Sequence, residues 1–163
     1  MRWILPMTIC LTMASLGLQA APKKAPTVLP VKARTQYADY YGTMLTLDRK
    51  VLNIGSRTFG WGITNEKPLE MAYFAAYLKP KGKFSRLKAT LYADPDIKAE
   101  LQFQIRAEKY NGVVLSSETL SPGETKEIEV EIPGIQQVYI GTELKTNHDK
   151  ARRIIIGEPT FLK

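Results

Sequence analysis

The sequence has almost none of the side chains that most often carry catalysis or bind transition metals. Cysteine occurs once, as Cys10, and histidine once, as His148. A single histidine cannot supply the set of nitrogen or sulfur ligands that a zinc site needs. No serine stands in a G-x-S-x-G context, the setting of the nucleophile in α/β-hydrolases. A glycosidase-like carboxylate pair has no sequence signature and stays open, but this inventory favours a non-enzymatic protein without metal or cofactor.

Long apolar runs are also scarce, and the main one lies at the N-terminus. Residues 1–20 combine a basic residue near the start, an apolar run at 11–18 and a small final residue, Ala20. This order is typical of a secretory signal peptide that is cleaved after Ala20. An uncleaved membrane anchor is the alternative, but the run falls short of the roughly 20 residues that span a bilayer. We therefore expect a periplasmic or secreted protein with no transmembrane segment after cleavage.

Cys10 lies inside this leader and follows Ile9, whereas a lipoprotein signal needs a small residue there. The exported chain is thus predicted to contain no thiol and no disulfide. A domain without such covalent links must be stabilised by its own hydrophobic core.

The charge is strongly basic, with a formal net charge of +7 at pH 7. Only one basic residue, Arg2, belongs to the predicted leader. This charge favours anionic partners, such as acidic glycans or a membrane surface, or simply keeps the chain soluble. Nucleic acid is disfavoured because the basic residues are scattered and an exported chain rarely meets nucleic acid.

Beyond the leader, residues 21–42 contain Pro22, Pro26 and Pro30 and are predicted to form a Pro/Lys-rich linker or tail. The tyrosine-rich stretch 37–41 within it is either a first strand or an aromatic patch. Residues 43–163 are predicted to be one binding domain.

Hydrophobic alternation with a period of two dominates residues 43–163. In 99–107, Leu101, Phe103 and Ile105 face one way and polar residues the other, which predicts a half-buried strand with these three in the core. The other predicted strands are 86–92, 126–132, 137–144 and 153–157. Turn signals separate them, above all Asn111-Gly112. Short strands with frequent turns predict an all-β protein, a jelly-roll-type antiparallel β-sandwich.

Asp94-Pro95-Asp96 follows a predicted strand. Aspartate and proline together favour a turn. Calcium is the alternative, but it needs 6–8 oxygen ligands and these two carboxylates have no further acidic cluster nearby. The ligand count favours the turn.

Candidate ligand-binding residues lie in three other places. Trp61 stands between glycines in Phe59-Gly60-Trp61-Gly62, either as an exposed stacking platform or as a core residue whose glycines permit close packing. Tyr92 lies on the polar side of its predicted strand. Asn147, His148 and Arg152 share a polar stretch that suits directed hydrogen bonds to hydroxyls or carboxylates, or is an ordinary solvated loop.

The order of these features resembles the NPCBM family of carbohydrate-binding modules. The resemblance covers residues 44–162. It rests on the aromatic–glycine segment 57–63, the strand 82–89, the acidic turn 92–97, the hairpin at Asn111-Gly112 and the closing segments 146–149 and 157–161. It implies a galactose-binding-domain-like jelly roll that binds carbohydrate.

Two functions are expected from these observations. The first is recognition of an envelope or extracellular glycan by loops 59–62, 92–96 and 146–152, which would converge at one end of the sandwich. Arg152 would favour an acidic sugar. The alternative is a protein–protein interaction module that docks an envelope protein on a sheet face or edge. The segment 37–41 and the three glutamates of 126–132 favour that alternative.

Overall fold

The computed structural model describes residues 27–28, 37–40, 43–65, 73–97, 99–144 and 153–163. These residues form eleven strands and one short helix. The elements are β1 (Thr27–Val28), β2 (Tyr37–Tyr40), β3 (Thr43–Thr46), α1 (Arg49–Leu52), β4 (Gly62–Asn65), β5 (Tyr73–Leu78), β6 (Arg86–Ala93), β7 (Leu101–Ala107), β8 (Val114–Leu120), β9 (Thr125–Glu131), β10 (Val138–Leu144) and β11 (Ile154–Leu162). No helix in these ranges is long and apolar enough to cross a membrane.

The strands form two antiparallel sheets. Sheet 1 has the order β3-β4-β11-β6-β9, with β1 paired to a later part of β11, and sheet 2 has the order β2-β5-β10-β7-β8. Every described pair is antiparallel. This arrangement confirms the predicted all-β sandwich.

The hydrophobic core lies between the two sheets and is built from the inward-facing residue of each alternating pair. Leu101, Phe103 and Ile105 of β7 are all fully buried, which confirms the prediction made for them. The facing sheet contributes further fully buried side chains, among them Leu87, Leu91, Ile154 and Ile156. Alternation along single strands thus determines which residues form this core.

The Asn111-Gly112 signal does mark a hairpin, because β7 and β8 pair antiparallel on either side of it. Its loop is longer than the two-residue turn that this dipeptide favours. Ala107 donates its backbone N–H to Val113 O at 2.9 Å, and Glu108 has a positive φ of 63°. A Cβ at Gly112 would lie 1.8 Å from Ala107 O, so the close approach of backbone requires glycine.

Several strand boundaries differ from the predicted ones by a residue or two, and β11 is much longer than the predicted 153–157. It passes an irregularity in register between Gly157 and Thr160, where Glu158 has a positive φ of 48°. Such a bulge breaks the simple alternation while the strand continues.

Two strands fall inside the segment 21–42 that the sequence predicts as a linker or tail. β1 pairs with β11, and β2 pairs with β5. Proline is tolerated beside edge strands, so the prolines of this segment do not prevent such pairing. For 37–41, the strand interpretation fits residues 37–40.

The outer face of sheet 1 carries a second, smaller cluster. Leu52, Phe59, Tyr92 and Ile155 pack together there and are almost completely buried. The segment between β3 and β4 therefore folds back over this face. It begins at α1, where the Asp48 side chain accepts a hydrogen bond from Lys50 N at 2.9 Å and so caps the helix.

Ion pairs line the rest of that outer face. Glu129 of β9 pairs with Arg86 of β6, and Glu127 lies 3.8 Å from Lys88 Nζ and 3.3 Å from Arg57 Nη1. The glutamates of 126–132 that favoured a protein partner are therefore partly neutralised by neighbouring cations. Exposed pairs of this kind each contribute little to stability, but they make the face mixed in charge rather than acidic.

Candidate functional site

The candidate site lies at one end of the sandwich. Strands β4 and β10 end there, at Asn65 and Leu144, and β11 begins there, after Arg153. Residues 94–97 leave the same end of β6 toward β7 of the other sheet. We call this the loop end. Asp94 accepts a hydrogen bond from Asp96 N through Oδ1 at 3.0 Å, and Ile97 N donates to Asp94 O at 3.0 Å. These two bonds define a tight turn, so the turn interpretation of Asp94-Pro95-Asp96 is confirmed.

Arg153 joins this turn to the segment that covers sheet 1. Its backbone carbonyl accepts from Asp94 N at 3.0 Å, and its Nε lies 3.6 Å from Asp94 Oδ2. Its Nη1 donates to Val51 O at 2.6 Å and approaches Asn53 O at 3.4 Å. The Asp94 side chain is 9% exposed and that of Arg153 is 32% exposed, so part of the guanidinium still faces solvent.

Two buried side chains of β4 hold the beginning of β11 from its other side. Asn65 Oδ1 accepts from Ile154 N at 2.9 Å, and Thr64 Oγ1 donates to Ile154 O at 2.8 Å. Within the described part of the chain, every buried side-chain nitrogen or oxygen has a hydrogen-bond partner. The loop end is therefore a satisfied polar network that fixes the backbone where β11 begins.

Tyr92 lies in β6, two residues before Asp94. Burial of its ring, and then the nearby carboxylate of Asp94, raise the pKa of the phenol above its ordinary value, while Arg153 acts in the opposite direction. The phenol therefore stays neutral at physiological pH. The ring itself packs against Leu52, Phe59 and Ile155.

Neither predicted aromatic platform presents its face to solvent. Trp61 is 8% exposed and belongs to the core between the sheets, and Tyr92 is 4% exposed. The interpretation of Trp61 as a core residue fits this placement, because Gly62 lets the chain pack closely. A Cβ at Gly62 would lie 3.0 Å from the side chain of Leu52 and 3.1 Å from Ile156 O. A stacking role requires an open ring face, and these two residues do not offer one.

The other predicted site residues, Asn147, His148 and Arg152, lie outside the described residues. The position next to them, Arg153, is described, and it lies against Asp94. Of the three loops that were expected to converge, 92–96 and 146–152 are therefore anchored next to each other, at Asp94 and Arg153. The third, 59–62, leads into the start of β4 instead: Gly60 N donates to Glu158 Oε1 at 2.7 Å, and the Phe59 ring is fully buried on the outer face of sheet 1.

The residues that organise the loop end were only partly recognised in the sequence. Arg153 adjoins the predicted Arg152, but nothing local indicates that it pairs with Asp94. Asn65 carries no signal, because an asparagine at the end of a short strand is common in any turn. Within the described ranges, no group of three or more His, Cys, Asp or Glu side chains is placed to hold a metal ion.

Removing the Asp94 side chain is expected to weaken this network measurably. Asp94→Ala loses both the turn hydrogen bond and the ion pair with Arg153, and should lower the free energy of unfolding by about 1–2 kcal/mol. Asp94→Asn keeps an oxygen for the turn and loses only the partly exposed ion pair, so its loss should stay below about 1 kcal/mol. Chemical denaturation of both variants checks this. Equal losses would mean that the turn hydrogen bond contributes nothing.

Several proteins of known structure share this fold, and carbohydrate-binding modules are among them. One neighbour is CBM51-2 with the INT domains of Clostridium perfringens ZmpB, in complex with GlcNAc, at a TM-score of 0.60 and 13% identity, covering 85% of this chain and 32% of that one. Another is the CBM51 of Clostridium perfringens GH95 in complex with methyl-galactose, at a TM-score of 0.53 and 11% identity, covering 77% of this chain and 91% of that one.

A third neighbour is described as an adhesin. It is the K1 cleaved adhesin domain of Lys-gingipain from Porphyromonas gingivalis W83, with a TM-score of 0.51 and 12% identity, covering 76% of this chain and 84% of that one.

At identities this low the likeness shows the fold alone. This chain spans a third or less of several larger, multi-module structures that it matches. No protein-family model matches the sequence, and no curated protein matches it at a significant level of similarity. The fold that the NPCBM resemblance implied is thus present, whereas membership of that family is not shown.

Proposed function

We propose that this chain is an exported, non-catalytic carbohydrate-binding module-like protein, and that it recognises an envelope or extracellular glycan at the loop end. The observation that carries the proposal is the shared fold, since the neighbours include modules in complex with GlcNAc and methyl-galactose. Fold alone does not determine function, so the proposal needs support from the site itself.

The loop end offers a rigid base for such a site. Asp94, Arg153 and Asn65 fix the backbone where β11 begins, and β10 ends beside β7 at Leu144. The stretch between these fixed points contains Asn147, His148 and Arg152, which we propose as the sugar contacts. Binding sites supported by rigid elements keep their polar groups in place at a low entropic cost.

The burial of Trp61 and Tyr92 changes the expected chemistry. In this proposal the sugar is held by directed hydrogen bonds from amide, imidazole and guanidinium groups and not by stacking on those rings. Arg152 forms paired hydrogen bonds with planar anions, which favours a glycan bearing a carboxylate.

A glycan array with the exported form of the chain tests the proposal. Neutral and acidic glycans are compared, and the best ligand is titrated against Arg152→Ala and Asn147→Ala. Loss of a charge-assisted bond should weaken binding of an acidic glycan by roughly tenfold or more. Lys88→Ala, at an exposed position of β6 away from the loop end, is the control and should bind like the parent. Unchanged binding in both site variants would place the ligand elsewhere.

A second candidate function is the binding of an envelope protein. The similarity to an adhesin domain favours it, as does the burial of both predicted stacking residues. A chain that binds no glycan on the array, but binds one purified envelope protein with a defined stoichiometry, would support this function.

Export gives a separate prediction. When the full chain is expressed in a bacterium with a general secretion system, the exported protein should begin at Ala21, because the leader ends in a small residue suited to cleavage. Mass spectrometry of the periplasmic or medium fraction measures this. An exported protein that still contains residues 1–20 would contradict it and favour the membrane-anchor interpretation.

A further inference from the structure

The end of the sandwich opposite the loop end combines lysines with exposed apolar side chains. β7 runs from Leu101 at the loop end to Ala107 at this other end, a distance of roughly 20 Å. Three loops meet there, namely 79–85, 108–113 and 132–137, and Leu162 of β11 lies beside them. We call this the lysine end.

Backbone and side-chain hydrogen bonds join the three loops into one surface. Lys81 N donates to Gln136 O at 3.1 Å, and Gln136 N donates to Glu108 Oε1 at 2.9 Å. Glu108 N donates to Gln137 O at 2.7 Å. The first loop is linked to β11 by Ser85 N, which donates to Leu162 O at 2.9 Å. Side chains on these loops therefore share a fixed geometry.

The charge of this surface is predominantly positive. Its loops and the adjoining end of β11 carry Lys79, Lys81, Lys83, Lys109 and Lys163, four of which are exposed and one half-buried. The acidic residues of the loops and adjoining strand ends are Glu108, whose carboxylate accepts a hydrogen bond from Gln136 N, and Glu131 at the end of β9, which lies opposite Arg86. Lysine is a compact, strongly hydrated charge that suits diffuse attraction to an anionic surface better than paired recognition of one carboxylate.

Apolar side chains project from the same surface. Val113 is 74% exposed, Tyr110 61% and Val114 46%, all at the β7–β8 hairpin. Of the four exposed large hydrophobic residues among those the structure describes, three belong to this one hairpin. Single exposed apolar residues need no explanation, but a cluster of them on a hairpin that carries Lys109 and is hydrogen-bonded to the other lysine-bearing loop through 136–137 favours a partner with both apolar and anionic character.

We propose that the lysine end docks on an anionic lipid membrane, with lysines against the headgroups and the hairpin tip inserted at the interface. A bilayer surface supplies negative charge and apolar depth together, and tyrosine suits the boundary between water and lipid. An acidic glycan would account for the lysines and leave the valines without a partner. Docking in this orientation directs the loop end away from the membrane.

Vesicle flotation with the exported form of the chain tests the proposal. The probes are phosphatidylcholine vesicles and phosphatidylcholine vesicles that contain phosphatidylglycerol. Binding is expected only to the second kind and should fall as salt screens the charges. The triple variant Lys81→Gln, Lys83→Gln and Lys109→Gln should lose on the order of a hundredfold in partitioning, since each lysine near an anionic surface contributes roughly fivefold.

A matched triple variant separates position from net charge. Arg49→Gln, Lys50→Gln and Arg57→Gln remove the same charge from exposed residues on the segment between β3 and β4, away from the lysine end, and should keep most of the binding. An equal loss in both triple variants would overturn the proposal, because net charge alone would then explain the attraction.

Insertion of the hairpin tip has its own readout. Brominated lipids should quench the fluorescence of the new indole in Tyr110→Trp. They should not quench it in Leu47→Trp, because Leu47 is exposed on the segment that follows β3, away from the hairpin. The buried Trp61 is present in both variants and contributes the same background. Quenching of neither would show that the tip does not enter the bilayer. Binding to soluble acidic glycan or protein with no binding to anionic vesicles would likewise reject the membrane as the partner.

Discussion

Replacing Phe103 with alanine is expected to lower the free energy of unfolding by about 3–5 kcal/mol, the largest effect of any single substitution considered for this chain. Phe103 is fully buried at the centre of β7 and belongs to the main core. β7 lies between β10 and β8, with Thr142 and Glu118 opposite Phe103. Neighbouring strands on both sides restrict any collapse around the lost ring, so most of the cavity should persist.

Urea denaturation of the exported form measures the change, and Thr119→Ala is the control. Thr119 is an exposed residue of the adjacent strand β8, and truncation there should stay within about 0.5 kcal/mol of the parent. A loss below about 1 kcal/mol for Phe103→Ala would contradict the packing of β7 that the structure shows.

Phe103 also illustrates what the sequence can determine. Its burial follows from strict alternation over seven residues of β7, a pattern carried entirely by near neighbours. The same argument places Ile128 and Val130 of β9 in the core, as the structure confirms. Element type and inward face are therefore local properties of these strands.

Trp61 shows where such local reasoning ends. Glycines on both sides permit an indole to lie in either direction, so its flanking residues do not decide between core and surface. The orientation of Trp61 is set by long-range packing. Phe59 occupies the outer face of sheet 1 over Gly157, and Trp61 points inward to the core. Both contacts involve residues far away in the sequence, and periodicity carries no information about them.

At the loop end, too, local features are predictable from the sequence and long-range pairing is not. The turn at Asp94-Pro95-Asp96 is predictable because proline and aspartate act on their own backbone. The ion pair between Asp94 and Arg153 is not predictable in this way. It depends on β6 and β11 being neighbours, with Ile154 opposite Ala93. Sheet order joins the two residues, and a single sequence does not specify sheet order.

The second large effect is expected at Gly157, on the outer face of sheet 1. Gly157 lies opposite Gly62 of β4 and Thr90 of β6. A Cβ added there would approach the Phe59 ring to 2.5 Å, closer than any van der Waals contact. The ring has little room to retreat, because it is fully buried in the outer cluster and the Arg57 guanidinium lies 4.9 Å from its centroid. Gly157→Ala should therefore cost about 1–3 kcal/mol through overpacking.

A double-mutant cycle with Phe59→Ala identifies the cause. Without the ring, the added methyl group of Gly157→Ala has space, so its cost should largely disappear and leave a coupling energy of about 1–3 kcal/mol. Gly60→Ala is the matched control: its Cβ would meet only Glu158 Oε1 at 3.2 Å, the end of a side chain that can move, so the loss should be smaller. If Gly157→Ala costs the same with and without the Phe59 ring, the contact between ring and backbone does not set the packing of this face. If the cost depends on the ring as expected, the segment between β3 and β4 is held on sheet 1 by a contact that only glycine allows.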